Sequence, residues 1–274
     1  MKILTWNILT PGFTAWEPRR EAIWQTLRRA DADFICLQEP MHQQVYETRH
    51  HPDFASAFAL VGAGREHDPH FPDGLARLRE TDINSPAGGE WTPIVYRRDR
   101  YEMIDLPQPT TVWYHPDPSR RNVPGTFSPG ASFPRIFTWS YFRDRHSKAE
   151  LFVYNTHLEH TAGSIRQQQA AQLAAHVSES MKQCRRAVVV GDFNDPPDTP
   201  TLAEMQRVIP RVCDDRPTWR GFGPADQPVK IDYIFAINPG KVRFELLEIP
   251  RISPPPAKTD GRVSDHAPLL AEFE

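Results

Sequence analysis

Ala187-Val188-Val189-Val190-Gly191-Asp192-Phe193-Asn194-Asp195-Pro196 reads as a buried strand that gives out at a polar pair. Ala187 to Gly191 are small or β-branched, as a strand covered on both faces requires. Asp192 and Asn194 follow on one side, and Phe193 is expected to turn away because alternate side chains of extended backbone oppose each other. Pro196 and Pro197 end any further pairing. A carboxylate and an amide are thus expected together on the rim of a sheet. Such a pair suits a hard cation or a phosphoryl oxygen, since the carboxylate only accepts hydrogen bonds while the amide both donates and accepts.

Working outward, Ala162 to Lys182 is the longest helical pattern, with Ile165, Ala170, Leu173, Ala174 and Val177 on its apolar side. It lies between a strand at 150–156 and the strand at 187–191, a crossover arrangement that favours parallel pairing. The same pattern of polar groups at strand ends recurs elsewhere. Strand 2–8 ends near Asn7, strand 33–38 delivers Glu39 before Pro40, and strand 150–156 runs into His157. Asp232 sits in a strand at 230–236, and Asp265-His266 precede the last strand, 268–273. Ligand sites of α/β proteins gather at strand ends along one edge of a sheet. Other expectations are a helix over 17–30, a hairpin joining 91–96 to 100–106, a helix through Arg207 capped by Thr199, and a strand at 242–249. Long loops are expected at 62–90 and 107–134.

The chain of 274 residues, 39% hydrophobic and 24% charged, is ordinary for a globular protein and is read as one domain over 1–274. A net charge of −3 argues against binding nucleic acid through a general positive field. Three scattered cysteines, Cys36, Cys184 and Cys213, have no metal-ligand spacing and form no disulfide framework. With no apolar run of membrane length and no leader-like start, a cytoplasmic location is expected. No protein partner is evident.

Six short motifs occur in one order along the chain: Thr5-Trp6-Asn7-Ile8, Leu37-Gln38-Glu39, Asn155-Thr156-His157-Leu158, Gly191-Asp192-Phe193-Asn194, Ile231-Asp232-Tyr233-Ile234 and Ser264-Asp265-His266. Each alone is weak; together they resemble the endonuclease/exonuclease/phosphatase superfamily of phosphoesterases. The resemblance implies an α/β (α+β) four-layer sandwich, two mixed β-sheets packed face to face with helices outside. It implies Glu39, with Asn7 and Asp265, as ligands of a divalent metal. By the same resemblance Asp192 and Asn194 position the attacking water and scissile phosphate, and Asp232 orients the catalytic His266. His157 resembles the second catalytic histidine of deoxyribonuclease-like members, whose partner is a glutamate seven residues before a strand-ending arginine; Glu90 stands seven before Arg97. Asn155, Arg135 and Trp219 are expected to contact substrate. An acidic residue found in some members two positions after the first asparagine is here Leu9, which argues against a second metal on that side.

Phosphoester hydrolysis needs a cation to neutralise developing charge, a placed water and a proton for the leaving oxygen. Oxygen ligands without a zinc-type Cys/His cluster point to Mg²⁺ or Mn²⁺. The sequence thus reads as a metal-dependent phosphodiesterase with His266 and His157 as acid and base groups. A nuclease is slightly ahead of an enzyme acting on a small molecule or lipid headgroup, and a non-catalytic binding module on the same fold is the remaining alternative. Arg120-Arg121, Arg185-Arg186 and the loop aromatics Trp113, Tyr114 and Trp219 favour nucleic acid; the acidic balance opposes it.

Overall fold

The computed structural model describes residues 1–65 and 89–274, so most of the loop expected at 62–90 lies outside the described residues. The valine-rich strand is β9 (Ala187–Asp192), parallel to β8 (Glu150–His157) through the crossover helix α4 (Gly163–Ser180). β9 also pairs antiparallel with β10 (Asp232–Ala236), and β8 with β7 (Ile136–Asp144). β5 (Tyr101–Ile104) and β6 (Thr111–Trp113) complete this sheet along β7.

In the facing sheet β1 (Lys2–Asn7) pairs in parallel with β2 (Phe34–Gln38) and antiparallel with β12 (Leu269–Phe273). β11 (Val242–Leu246) borders β12, and β4 (Ile94–Arg97) and β3 (Phe58–Val61) extend beyond β2.

Alternation along β1 and β2 builds the layers. Ile3, Phe34 and Cys36 pack into the core shared with the opposite sheet, where Phe34 meets Phe142 edge-on at 5.0 Å between ring centroids. Leu4, Trp6, Ile35 and Leu37 face outward and are covered by Ile23, Trp24, Leu27 and Ala30 of α1 (Arg20–Ala30). On the other side Ala170, Leu173, Ala174 and Val177 of α4 pack against their sheet, with Leu202 and Met205 of α5 (Pro200–Gln206). Helix, sheet, sheet and helix are stacked in that order. None of the helices among the described residues is long and apolar enough to cross a membrane.

Several local expectations are corrected. Segments 91–96 and 100–106 are not a hairpin: β4 belongs to one sheet and β5 to the other, and the chain changes sheets at Arg98-Asp99-Arg100. Arg100 secures the change by pairing with Asp33 (2.9 Å) and Asp144 (3.3 Å). The helices α2 (His42–His50) and α3 (Pro52–Ala55) and strand β3 were not foreseen, because α2 has only Val45 as a buried aliphatic residue and little apolar periodicity. Thr199 holds the N-cap position of α5 without capping it, and its hydroxyl donates to the Pro196 carbonyl instead.

Gly191 lies where β9 presses against β8. Its φ is +145°, and a methyl group built there lies 2.1 Å from the Thr156 carbonyl oxygen. Gly191→Ala must separate the two parallel strands just before His157 and Asp192, and is expected to cost about 3 kcal/mol in a urea titration. An unchanged midpoint would show that the strands can part cheaply.

Candidate active site

Every ligand-type residue expected at a strand end reaches the same edge of the sandwich because of strand direction. β1, β2, β8 and β9 terminate there, while β10 and β12 begin there antiparallel to their neighbours. Asp232 is therefore directly opposite Asp192 in register. Just past the strand ends the backbone is left-handed at Leu9 (φ 61°), Glu39 (φ 64°) and Asn194 (φ 51°). A non-glycine residue in that conformation carries strain of order 1–3 kcal/mol, and such strain concentrates at functional sites.

The two sheets meet through side chains. Asn7 Nδ2 donates to Glu39 Oε1 (2.9 Å) and to Asp192 Oδ2 (3.1 Å), linking β1 and β2 to β9. Thr10 N donates to the second Glu39 oxygen at 2.8 Å, and Leu9 N to Asn7 Oδ1 at 3.0 Å. Asn194 N donates to Asp192 Oδ1 (2.9 Å) and its amide to the Leu158 carbonyl (3.0 Å). His266 Nδ1 is 2.9 Å from Asp232 Oδ2. The Nε2 atoms of His266 and His157 approach the same Asp192 oxygen, at 3.7 and 3.5 Å. Phe193 turns into the core and packs on Tyr233 and Phe235.

The histidines have opposite electrostatics. Burial disfavours the charged form of His266, but the carboxylates of Asp232 and Asp192 outweigh it and hold its pKa well above the ordinary value. His157 is equally buried and faces Arg135 and Arg65, so its pKa falls well below the ordinary value. Burial and the Asp232 charge push Asp192 up to about 7.

Asp192, Asp232 and His266 place one potential ligand atom each within 4.8 Å of one another. Glu39, Asn7 and Asp265 are the other set. Asp265 Oδ2 accepts from Trp219 Nε1 at 2.9 Å, whereas its buried Oδ1 has no hydrogen-bond partner among the described residues. A buried carboxylate oxygen without a donor fits a cation better than it fits the bare protein. Glu39, Asp192, Asn194, Asp265 and His266 line one cavity of about 540 Å³, with His157, Glu90, Arg135 and Trp219.

Asn155 is the exception, and its expected contact with substrate is corrected. It is fully buried, donates to the carbonyls of Leu37 (2.8 Å) and Pro93 (2.9 Å), and accepts from Gln38 Nε2 (2.6 Å). It joins the sheets behind the site. Trp219 lines the cavity and also holds Asp265. Glu90 Oε2 is 3.9 Å from His157 Nδ1 and 2.6 Å from Arg65 Nη1. Arg135 is buried; its Nη2 donates to His160 Nδ1 at 3.0 Å, its Nη1 is paired with Glu90 Oε2 at 3.8 Å, and Nε and Nη1 have no hydrogen-bond partner among the described residues. Of the features read as favouring nucleic acid, Trp219 is at the cavity and others lie elsewhere. Trp113 and Tyr114 are buried, and Arg185-Arg186 precede β9, at the end away from Asp192.

Four supporting residues were missed. The Thr218 hydroxyl accepts from the N–H groups of Ile231 and Asp232 at 3.2 and 3.0 Å, fixing the start of β10. Ser264 Oγ donates to the Asn7 carbonyl (2.7 Å) and accepts from His266 N (3.1 Å). Glu159, whose place after a strand end left its role open in the sequence, is fully buried. Arg19 is fully buried and donates to the carbonyls of Ala15, Ile8, Val263, Leu9 and Thr14, at 2.7 to 3.1 Å. Its five N–H donors are all used, tying the loop after β1 to the segment before Asp265. Nothing local in the sequence, Glu17-Pro18-Arg19-Arg20-Glu21, hinted at this.

Comparison with known proteins agrees with this geometry. A structure of an endonuclease/exonuclease/phosphatase from Bacteroides vulgatus is similar at 26% identity and a TM-score of 0.76, covering 100% of this chain and 98% of that one. A mannosyl-6-phosphatase of Bacteroides thetaiotaomicron shares the fold at 21% identity and a TM-score of 0.77, covering 100% and 99%. Among curated proteins, the CCR4-Not complex 3'-5'-exoribonuclease subunit Ccr4 of Neurospora crassa is 26% identical over 198 residues, which are 65% of this chain and only 23% of that protein. Residues 4–266 match the Endonuclease/Exonuclease/phosphatase family, and the chain belongs to that family of phosphoester hydrolases.

Proposed function

We propose that the chain is a divalent-metal-dependent hydrolase of a phosphoester P–O bond, acting on a phosphodiester by in-line attack of water. The observation that carries this reading is the hydrogen-bonded Asn7–Glu39–Asp192 cluster beside the Asp232–His266 pair, with Glu39, Asp192 and His266 lining one cavity. Mg²⁺ or Mn²⁺ held by Glu39, Asn7 and Asp265 would neutralise charge developing on the phosphoryl oxygens. Arg135, which lines the cavity and whose Nε and Nη1 make no hydrogen bond among the described residues, binds a phosphoryl oxygen. Asp192 and Asn194 orient the water. His266, kept protonated by its carboxylate neighbours, gives a proton to the leaving oxygen, and the neutral His157 accepts one.

The surroundings support a compact phosphoester over a nucleic-acid strand. Among the described residues the cavity is lined by Glu39, Glu90, Asp192 and Asp265 against one arginine, Arg135, whereas a strand is held by several phosphate contacts. Hydrolysis of bis(p-nitrophenyl) phosphate and p-nitrophenyl phosphate with Mg²⁺, Mn²⁺ or EDTA is the test. Diester turnover is expected to fall at least about 100-fold in EDTA and to return on adding metal. Turnover indifferent to EDTA would rule out the metal-dependent reading, and turnover of the monoester alone would make the protein a phosphatase.

A further inference from the structure

We propose that Phe133 and His160 form a subsite for the organic group esterified to the phosphoryl, one that holds a sugar-sized saturated ring against its edge instead of stacking a planar base. The inference rests on the phosphoesterase reading and names the substrate class at that same site.

Phe133 is a large apolar residue left 43% exposed, and it lines the cavity that holds Glu39, Asp192 and His266. Its ring lies nearly parallel to that of His160, at 19° and 6.0 Å between centroids. A planar ring inserted between them would need about 7 Å between planes, twice the van der Waals spacing. The guanidinium of Arg65 also lies over Phe133, 4.6 Å from the ring centre. The Phe133 ring is thus already engaged by His160 and Arg65, and what it offers a substrate is its rim.

The wall is built, not incidental. Glu159 accepts hydrogen bonds from Ser132 N (3.0 Å), Thr161 N (2.9 Å) and Thr161 Oγ1 (2.8 Å). The Ser132 and Thr161 hydroxyls lie 2.8 Å apart. One buried carboxylate therefore ties the residue before Phe133 to the residue after His160. Burial alone would raise the Glu159 pKa, but these donors and Arg135 bring it down to about 2, so the tie persists at any working pH.

Position adds the substrate class. Arg135 donates to His160, so the wall begins one side chain away from the cation assigned to the phosphoryl group. Pro196, Val229 and Ile231 also line the cavity, giving it apolar parts beside an ionic floor. A volume of about 540 Å³ is in the range of small-molecule sites. A hexose phosphate and the ribose of a nucleotide share the required chemistry: a saturated ring with an apolar face, joined to one phosphoryl group.

The experiment compares methyl, cyclohexyl and phenyl p-nitrophenyl phosphate, which share a leaving group, on the wild type and on Phe133→Ala with Mn²⁺. The wild type is expected to show a KM for the cyclohexyl ester about tenfold below that for the methyl ester, and the variant to lose this difference, its cyclohexyl-ester KM rising towards that of the methyl ester. Phe133→Leu, which keeps bulk beneath Arg65, is expected to lose the preference in part and serves if the alanine variant unfolds. Equal wild-type KM values, or a variant that weakens both esters alike, would overturn the subsite. A strong preference for phenyl over cyclohexyl would overturn edge contact in favour of stacking. No turnover of any diester or monoester by the wild type would instead overturn the phosphoesterase reading, and the subsite with it. Competition separates the two sources: glucose 6-phosphate inhibiting better than adenosine 5′-monophosphate assigns a hexose ester, and the reverse a nucleotide. If neither inhibits better than glycerol 3-phosphate, the ring subsite is wrong.

Discussion

His266→Ala is expected to lower kcat on bis(p-nitrophenyl) phosphate by about 1,000-fold while leaving KM within about threefold. The imidazole is hydrogen-bonded through Nδ1 to Asp232 at 2.9 Å, with Nε2 3.7 Å from the Asp192 carboxylate, so its orientation is set before substrate arrives. Alanine removes the imidazole proposed as proton donor and leaves two buried carboxylates facing each other across the β9–β10 pair. That adds a structural cost, so His266→Asn is the companion: it restores a donor towards Asp232 but carries no titratable proton. Steady-state kinetics on both variants, with circular dichroism to confirm folding, give the answer. A fall of less than tenfold in both would remove His266 from the proton-transfer role and leave it as a structural partner of Asp232.

Arg19→Met is expected to destabilise the fold by about 4 kcal/mol, a large part of the 5–15 kcal/mol available to a typical domain. The methionine fills much of the volume but leaves five carbonyls, four of them buried, without their donor. Burial lowers the guanidinium pKa to about 10 in spite of the nearby Asp265 and Glu39, so it remains charged at neutral pH. Arg19→Lys keeps the charge with three donors in place of a five-donor fork and is expected to fall between wild type and Arg19→Met. The urea midpoint measures both. Equal midpoints for all three proteins would show that the loop after β1 is held by other contacts.

Much of the site was legible because its chemistry is local in sequence. Asn7, Glu39, His157 and Asp192 each stand where a strand gives out, and apolar runs ending in a polar residue are visible without any tertiary knowledge. The Val-rich run and the long amphipathic helix before it likewise declared a parallel crossover. What escaped was set by partners far away in the chain. Asn155 looked like part of an exposed motif, yet its amide is consumed by Leu37 and Pro93 on the opposite sheet. Arg19 read as one more surface arginine of an amphipathic helix, and only the meeting of segments 8–15 and 263 makes it a buried cross-brace. The supposed hairpin failed because a turn-like Arg98-Asp99-Arg100 looks the same whether the next strand folds back or crosses to another sheet. Glu159 failed because burial of a charge depends on donors from residues 132 and 161, which no local pattern announces.

The polar staples between the sheets set the mechanical character of the cleft. Near the site, Asn7 reaches Asp192 and Gln38 reaches Asn155; between β4 and β5, Arg100 grips Asp33 and Asp144 as the chain passes from sheet to sheet. A sandwich pinned in this way has no hinge line along which its halves can swing apart. Its mouth has a constant width, and adaptation to a ligand falls to the loops that rim it. Discrimination then works by refusal: a group too broad for the gap is shut out by shape, instead of being admitted and paid for in binding energy.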